Sequence, residues 1–351
     1  LILHSKPWLT DDDVDAMSAV VRSGMVAQGA RTEALERELA AWVGAGHGIG
    51  VASGSAAILL ALRALGIGAG DDVVLPTYVC SSVMEAAAAA GATPILCDVG
   101  DDWVMTPGDV AAAITKTTKA IIVPHMYGIY ADIEAFRQFG VAIVEDCAQA
   151  VAGRGEKAIA GDAAVFSFHP TKCLTSGEGG MVVTNDAGVA ARAKLLRDGN
   201  GTGGREVFSP LSDIAAALAS SQLARYGEAL RIRREIAGDY FAVLGDAIDP
   251  HLRALLESRS MFFRFVLRVP SFDAAARAFA AEGVIVRKGV DLLLHRLAGL
   301  GDERFPKSTE LFETTVSLPI YPALTGRERA VCAAAAAKVL APAPRAALVA
   351  S

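Results

Sequence analysis

At 351 residues, 52% hydrophobic and 21% charged, the chain suits one large globular domain or two moderate ones and lies far from the disordered class. A formal net charge of -6, with no run of lysines or arginines, excludes the electrostatic footprint of a nucleic-acid or membrane-surface protein. Apolar runs such as AAILLALRAL are too short or carry a charge, so none is expected to span a bilayer, and no secretory leader is visible.

Thr10 opens TDDDVDAMSAVV with Asp13 three positions on, the pattern of a capped helix with acids in its first turn. Residues 31–43 read as a second amphipathic helix, closed by GAGHG. Then the period changes. Short β-branched runs alternate with alanine-rich helices: GIGVAS with SAAILLALRAL, DVVLP with SSVMEAAAAA, TPILCDV with PGDVAAAI, KAIIVPH with ADIEAFRQF, and VAIVED followed by the strand AAVFSF. Strands apolar on both faces and alternating with helices imply an α/β fold with a parallel or mixed sheet covered by helices.

Two long helical patterns follow, SDIAAALASSQLARYGEAL and RIRREIAGDYFAVL. After them FFRFVLRV, the helix DAAARAFAAEG and VIVRKG suggest a smaller α+β unit, completed by a helix over 327–340. The expected boundary lies near Gly238, giving a large domain over 1–238 and a small one over 239–351. The final APAPRAALVAS reads as a loosely ordered tail. No internal repeat is present.

The five cysteines, Cys80, Cys97, Cys147, Cys173 and Cys332, form no C-x-x-C pair. This argues against a disulfide framework and for a reducing, cytoplasmic setting. Six scattered histidines without ligand spacing give no indication of a protein-bound metal.

In open α/β sheets ligands gather at the carboxyl ends of the strands. Those ends carry Ser53-Gly54-Ser55, Thr77-Tyr78, Asp98, His125, Asp146 with Gln149, and Ser167 with Lys172. Ser53-Gly54-Ser55-Ala56 joins a strand to a helix, where exposed N–H groups suit a phosphate, although a serine cap beside a glycine also starts many ordinary helices. Neither G-x-x-x-x-G-K-[ST] nor G-x-G-x-x-G follows the first strand, which disfavours nucleotide-triphosphate and dinucleotide sites. Asp146 ends an apolar strand; it either caps the next segment or holds a heterocyclic nitrogen protonated. Pro170 should stop the strand AAVFSF near His169, so that Lys172 projects from a turn at its end, with Gly177, Gly179 and Gly180 permitting tight backbone nearby. A lysine desolvated there becomes nucleophilic toward carbonyls. Phosphate cradle, carboxylate and buried lysine together match the needs of pyridoxal 5'-phosphate.

These residues resemble the DegT/StrS family of sugar aminotransferases, which are fold-type-I pyridoxal-phosphate enzymes. The resemblance runs through SGSAAILLAL, GDDVVLPTYV, VEDCAQAVAG, GDAAVFSFHPTK, GEGGMVVTND, LSDIAAALASSQL and SLPIYPALT. It implies that Lys172 forms the Schiff base and Asp146 partners the pyridine nitrogen. Gln149 would lie against the ring near its phenolic oxygen, and Ser167, Gly54 and Ser55 would hold the phosphate. It further implies a homodimer with interfacial active sites, and transfer of an amino group from glutamate or glutamine to a keto sugar, with a nucleotide-linked sugar as the expected acceptor. Lys172, where a dehydratase branch has histidine, points to transamination.

Three positions depart from the family pattern. Cys80 stands where an aromatic residue stacks on the ring, with Tyr78 as a candidate substitute. Phe208 replaces an asparagine that reaches the partner's phosphate, with Asn200 or Arg205 as possible compensation. His169 replaces Tyr or Phe. Cys80 and Phe208 keep open a non-catalytic cofactor-binding regulator of the same fold. An aminotransferase acting on a small non-sugar ketone, and a lyase using Cys173 or Cys80, are further alternatives. Arg287, His295, His125, Trp8, Trp42 and Trp103 read more simply as structural residues.

Overall fold

The computed structural model describes residues 1–199, 207 and 209–340. Seven strands build one sheet: β1 (His47–Val51), β2 (Asp72–Pro76), β3 (Thr93–Cys97), β4 (Thr118–Pro124), β5 (Ala142–Asp146), β6 (Ala163–Ser167) and β7 (Gly180–Thr184), in the order β1-β7-β6-β5-β4-β2-β3. Neighbouring pairs are parallel except those of β7, which runs antiparallel to both β1 and β6. The reason is the connection: residues 168–179 contain no helix, so the chain turns straight back after β6. GMVVT was not separated as a strand by the helix–strand alternation, because no helical run precedes it.

Alternate strand residues feed different cores, as the two-residue period requires. Ile121, Val123 and Ile143 pack with Tyr240, Phe265 and Val316, while Ala120, Ile122 and Val144 pack beneath the helices Gly54–Ala64 and Ser81–Ala89. A second, two-stranded antiparallel sheet pairs β8 (Phe265–Arg268) with β9 (Thr315–Leu318), and its apolar side shares the first of these cores.

Several expectations need correction. ADIEAFRQF forms only a 3-10 segment, Glu134–Phe139, because Gly140 at φ 64° ends it before a second α-turn can form. The two long helices meet at Arg225, earlier than the sequence pattern suggests; its side chain is drawn away to Asp13 and to the Trp8 carbonyl. VIVRKG is not a strand and makes only single bridges, Val284 to Ile2 and Arg287 to Ser317. The helices Pro250–Arg259 and Pro306–Thr314 were not anticipated. The tail after residue 340, and Asn200, Arg205 and Phe208, lie outside the described residues.

Candidate active site

The carboxyl ends of β1, β4, β5 and β6, with the first residue of β7, converge on one edge: Val51 and Ser167 both oppose Gly180. A cavity of about 420 Å³ opens there, and its walls include Gly54, Ser55, Cys80, Asp146, Gln149, Ser167 and Lys172. Thus residues separated by more than a hundred positions meet because the strand order brings their ends together. Grooves of about 620 and 720 Å³ elsewhere on the surface contain none of them.

One end of the cavity is shaped for an anion. Ser53 caps the helix Gly54–Ala64 by accepting from the Ala56 N–H (3.1 Å). The N–H groups of Gly54 and Ser55 have no partner among the described residues, as expected for a helix's first turn. A Cβ on Gly54 would stand 2.8 Å from the Cβ of Ser167, so only glycine lets the helix start press against the strand end. Glycine at 180 serves the same packing, since a Cβ there would lie 2.5 Å from the Ser53 carbonyl oxygen. Unpaired N–H groups beside the Ser55 and Ser167 hydroxyls fit a phosphate.

Asp146 is buried at the end of β5. Its Oδ1 accepts from the Ala148 N–H (2.9 Å), and Oδ2 has no hydrogen bond among the described residues. Burial raises its pKa, against the opposing influence of that N–H and the charges of Lys172 and His125. A protonated ring nitrogen would supply the missing partner. The Gln149 Oε1 accepts from the Tyr127 N–H (2.8 Å), and Tyr127 adopts a left-handed backbone at φ 59°. That conformation costs about 1–3 kcal/mol in general; here the Gln149 contact and a Tyr78–Tyr127 hydroxyl pair (2.9 Å) hold it.

Lys172 closes a turn, donating its N–H to the His169 carbonyl (2.9 Å), with Pro170 at the second position. Its amine lies 5.8 Å from the centre of the Phe263 ring. Burial, then the charge of Arg264, lower its pKa, while Asp146 opposes them. A lysine so placed reaches its neutral, nucleophilic form more readily than one in water.

Tyr78 does not line the cavity. Its side chain turns into the core beneath the sheet edge, 1% exposed, and pairs with Tyr127. Val79 and Cys80 take the wall position instead, and Cys80 is exposed. The cavity also includes residues that sequence reasoning passed over or read as structural: His125, Glu178 and Asp291. His125 pairs with Glu145 (3.0 Å), while its Nδ1 accepts from the Ala131 N–H (3.1 Å). The available signal was register, since Val123 opposes Glu145 and Pro124 opposes Asp146 on adjacent strands, which sets His125 beside both acids. His125, Glu145 and Cys147 bring potential ligand atoms within 4.8 Å of one another. Both His125 nitrogens are already engaged, and the Glu145 Oε1 takes the N–H groups of Ala160 (2.7 Å) and Gly161 (2.5 Å), so the cluster is a hydrogen-bonded unit.

The family model described as the DegT/DnrJ/EryC1/StrS aminotransferase family matches residues 7–335. A UDP-N-acetyl-3-dehydro-alpha-D-glucosamine 3-aminotransferase of Acidithiobacillus ferrooxidans is 35% identical, across 92% of this chain and 91% of its own. The aminotransferase TlmJ of Streptoalloteichus hindustanus superimposes with a TM-score of 0.86 at 30% identity, covering 97% of this chain and 99% of its own. The S. venezuelae protein DesV, solved in complex with a ketimine intermediate, gives 0.84 at 28% identity, covering 95% of each chain.

Proposed function

The chain belongs to the DegT/DnrJ/EryC1/StrS aminotransferase family, and on that premise we propose that it uses pyridoxal 5'-phosphate to move an amino group from glutamate or glutamine to a keto group on a nucleotide-linked sugar. The similarity to the Acidithiobacillus enzyme favours the 3-keto position of a UDP-linked N-acetyl sugar. The observation that carries the reading is the joint presence of Lys172, Asp146 and the Gly54–Ser55–Ser167 anion end in one cavity.

When bound, the cofactor supplies an aldehyde for covalent capture of amines and a ring that accepts the electron pair released from the substrate carbon. The chain's residues do the rest. Gly54, Ser55 and Ser167 hold the phosphate and so fix the ring's position. Asp146 keeps the ring nitrogen protonated. Gln149, fixed by the Tyr127 N–H, would contact the ring. Lys172 would hold the cofactor's aldehyde, and its amine, once free, would serve as general base and then general acid at the substrate carbon. In the same proposal residues 1–238 form the cofactor-binding unit and 239–351 the smaller one, with Gly238 inside the helix Tyr226–Leu244, whose first half packs with Leu35, Leu39 and Phe166 and whose second half packs with Phe265 and Val316. A homodimer would cover Val14, Val21 and Met25, apolar residues left exposed on and just after the first helix.

The test is to load the protein with cofactor, convert it with L-glutamate, and offer UDP-linked 3-keto and 4-keto sugars beside small keto acids. The reading requires amino-sugar product from a nucleotide-linked acceptor. Turnover with small keto acids alone would overturn the sugar assignment.

A further inference from the structure

Among the described residues, three that are not glycine have a left-handed backbone: Trp103, Tyr127 and Phe262, at φ 64°, 59° and 58°. A bulky side chain takes that conformation only where its surroundings enforce it. Trp103 gives its N–H to the Gly100 carbonyl, and Phe262 gives its own to the Ser260 hydroxyl. Of the three, only Tyr127 directs its N–H to a residue that lines the Lys172 cavity, Gln149 (2.8 Å).

The turn is built around this contact. The Gly128 N–H donates to the His125 carbonyl (3.2 Å), which puts Tyr127 at the third position, where a positive φ ordinarily calls for glycine. The His125 N–H donates to the Asp146 carbonyl (3.1 Å), so the turn is also tied to the end of β5. The Tyr127 ring is fastened from three sides. Its hydroxyl pairs with that of Tyr78 (2.9 Å), and its ring meets Trp103 edge-on with 5.6 Å between centres. Gly289 comes so close that a Cβ there would collide with the hydroxyl. A tyrosine held in this way at a glycine position fixes the direction of its own N–H.

A backbone N–H can be met only by the oxygen of an amide. Gln149 must therefore turn Oε1 to Tyr127, which leaves Nε2, without a partner among the described residues, as its group for the cavity. We propose that Tyr127 is a positioning residue, whose left-handed peptide locks the Gln149 amide so that a donor, never an acceptor, meets the cofactor ring. The inference rests on the reading of the cavity as a pyridoxal-phosphate site. An N–H beside the ring's hydroxyl favours its ionised form, whereas the reversed amide would present an oxygen and disfavour it.

The experiment uses the full chain and compares wild type with Gln149→Glu, Gln149→Ala, Tyr127→Gly and the double variant Tyr127→Gly with Gln149→Ala. Gln149→Glu keeps an oxygen for the Tyr127 N–H but offers the cavity a second oxygen. Without cofactor it should melt above Gln149→Ala. In fluorescence titration it should nevertheless bind pyridoxal phosphate about tenfold or more weaker than wild type, and weaker than Gln149→Ala does. A glutamine that merely buttresses the turn would give Gln149→Glu the milder loss in both measurements. Tyr127→Gly keeps the N–H but frees its direction, so adding Gln149→Ala to it should cost less affinity than the same change costs wild type. The pH midpoint of the visible cofactor band should move up in Gln149→Glu and in Tyr127→Gly. A loss of affinity in Gln149→Glu equal to or smaller than that in Gln149→Ala, additive losses in the double variant, or an unmoved midpoint would each overturn the proposal. If Tyr127→Gly does not fold, the ranking and the midpoint of the Gln149 variants decide it. Wild type that binds the cofactor and shows this ranking but transfers no amino group would instead sink the aminotransferase reading and leave the positioning role standing.

Discussion

Gly54 and Ser167 are pressed together at the anion end of the cavity, with 2.8 Å between the Ser167 Cβ and the place where a Cβ on Gly54 would be. Gly54→Ala must therefore push the helix start away from the strand end. Such overpacking costs about 1–3 kcal/mol, and the displaced N–H groups are those proposed to hold phosphate. Cofactor affinity, read by fluorescence titration, should fall about tenfold or more. Adding Ser167→Gly should restore the melting temperature without restoring affinity, because it removes the clash together with the hydroxyl.

Lys172 carries the proposed covalent and proton-transfer roles, and no other lysine lines the cavity among the described residues. Lys172→Ala should lose the visible cofactor band and lower turnover by at least about 10⁴-fold. The folded state should persist, since the change removes a desolvated amine whose pKa is already lowered. Turnover within tenfold of wild type would remove Lys172 from the mechanism.

The raised pKa of Asp146 has a definite sign in stability. A carboxyl whose folded pKa exceeds its unfolded value penalises the folded state at neutral pH; the penalty fades as pH falls through the folded pKa toward the unfolded one. Without cofactor, Asp146→Asn should therefore melt at or above wild type at pH 7, with the difference vanishing as the pH approaches 3.8, the ordinary carboxyl value. With cofactor and substrates the same variant should lose on the order of 10²–10³-fold in kcat, because an amide cannot stabilise the protonated ring nitrogen. A variant less stable than wild type at neutral pH would show that the carboxylate has a structural role.

The alternation of β-branched runs with alanine-rich helices was enough to read the sheet and its functional edge, because period and composition are local properties. β7 was less legible: its antiparallel course depends on the helix-free return after Ser167 and on pairing with β1, more than a hundred residues away in sequence. Lys172, Asp146 and Gly54 could be singled out because strand ends and breakers mark them. His125 was read as a structural residue because its significance lies in parallel register with β5, which a single strand does not reveal. Tyr78 stands in the sequence as a candidate substitute for the stacking aromatic at Cys80, yet its ring turns inward to Tyr127.

The His125–Glu145 pair is 1% and 2% exposed and should matter to the integrity of the site floor. Removing one member of a buried pair costs about 3–5 kcal/mol, so Glu145→Ala should lose stability on that scale by denaturant melts. Burial alone would raise the Glu145 pKa, but the bond and charge of His125 and the N–H groups of Gly161 and Ala160 outweigh it and hold the carboxyl below its usual value. The resulting stabilisation is fully present above the unfolded value of 4.5 and is lost as pH falls through the folded one. Glu145→Gln should accordingly lose less stability on acidification than wild type over that window. Parallel acid profiles for the two proteins would rule out this linkage.

Cys80 occupies the wall position where the family resemblance leads one to expect an aromatic ring, and its exposure gives that substitution a chemical signature. Cys97, Cys147 and Cys332 are buried, burial raises the pKa of each thiol, and Cys173 is only partly exposed. Thiolate formation and access control alkylation, so iodoacetamide should modify Cys80 first, as read by peptide mass spectrometry. Bound cofactor lying against this wall should slow the modification, whereas inorganic phosphate, which fills only the anion end, should slow it less. Cys80→Phe should restore a stacking surface, worth about 0.5–1.5 kcal/mol for an aromatic pair, and so tighten cofactor binding by up to about tenfold. Equal alkylation rates with and without cofactor would mean that the ring lies away from Cys80, and that another part of the wall covers its face.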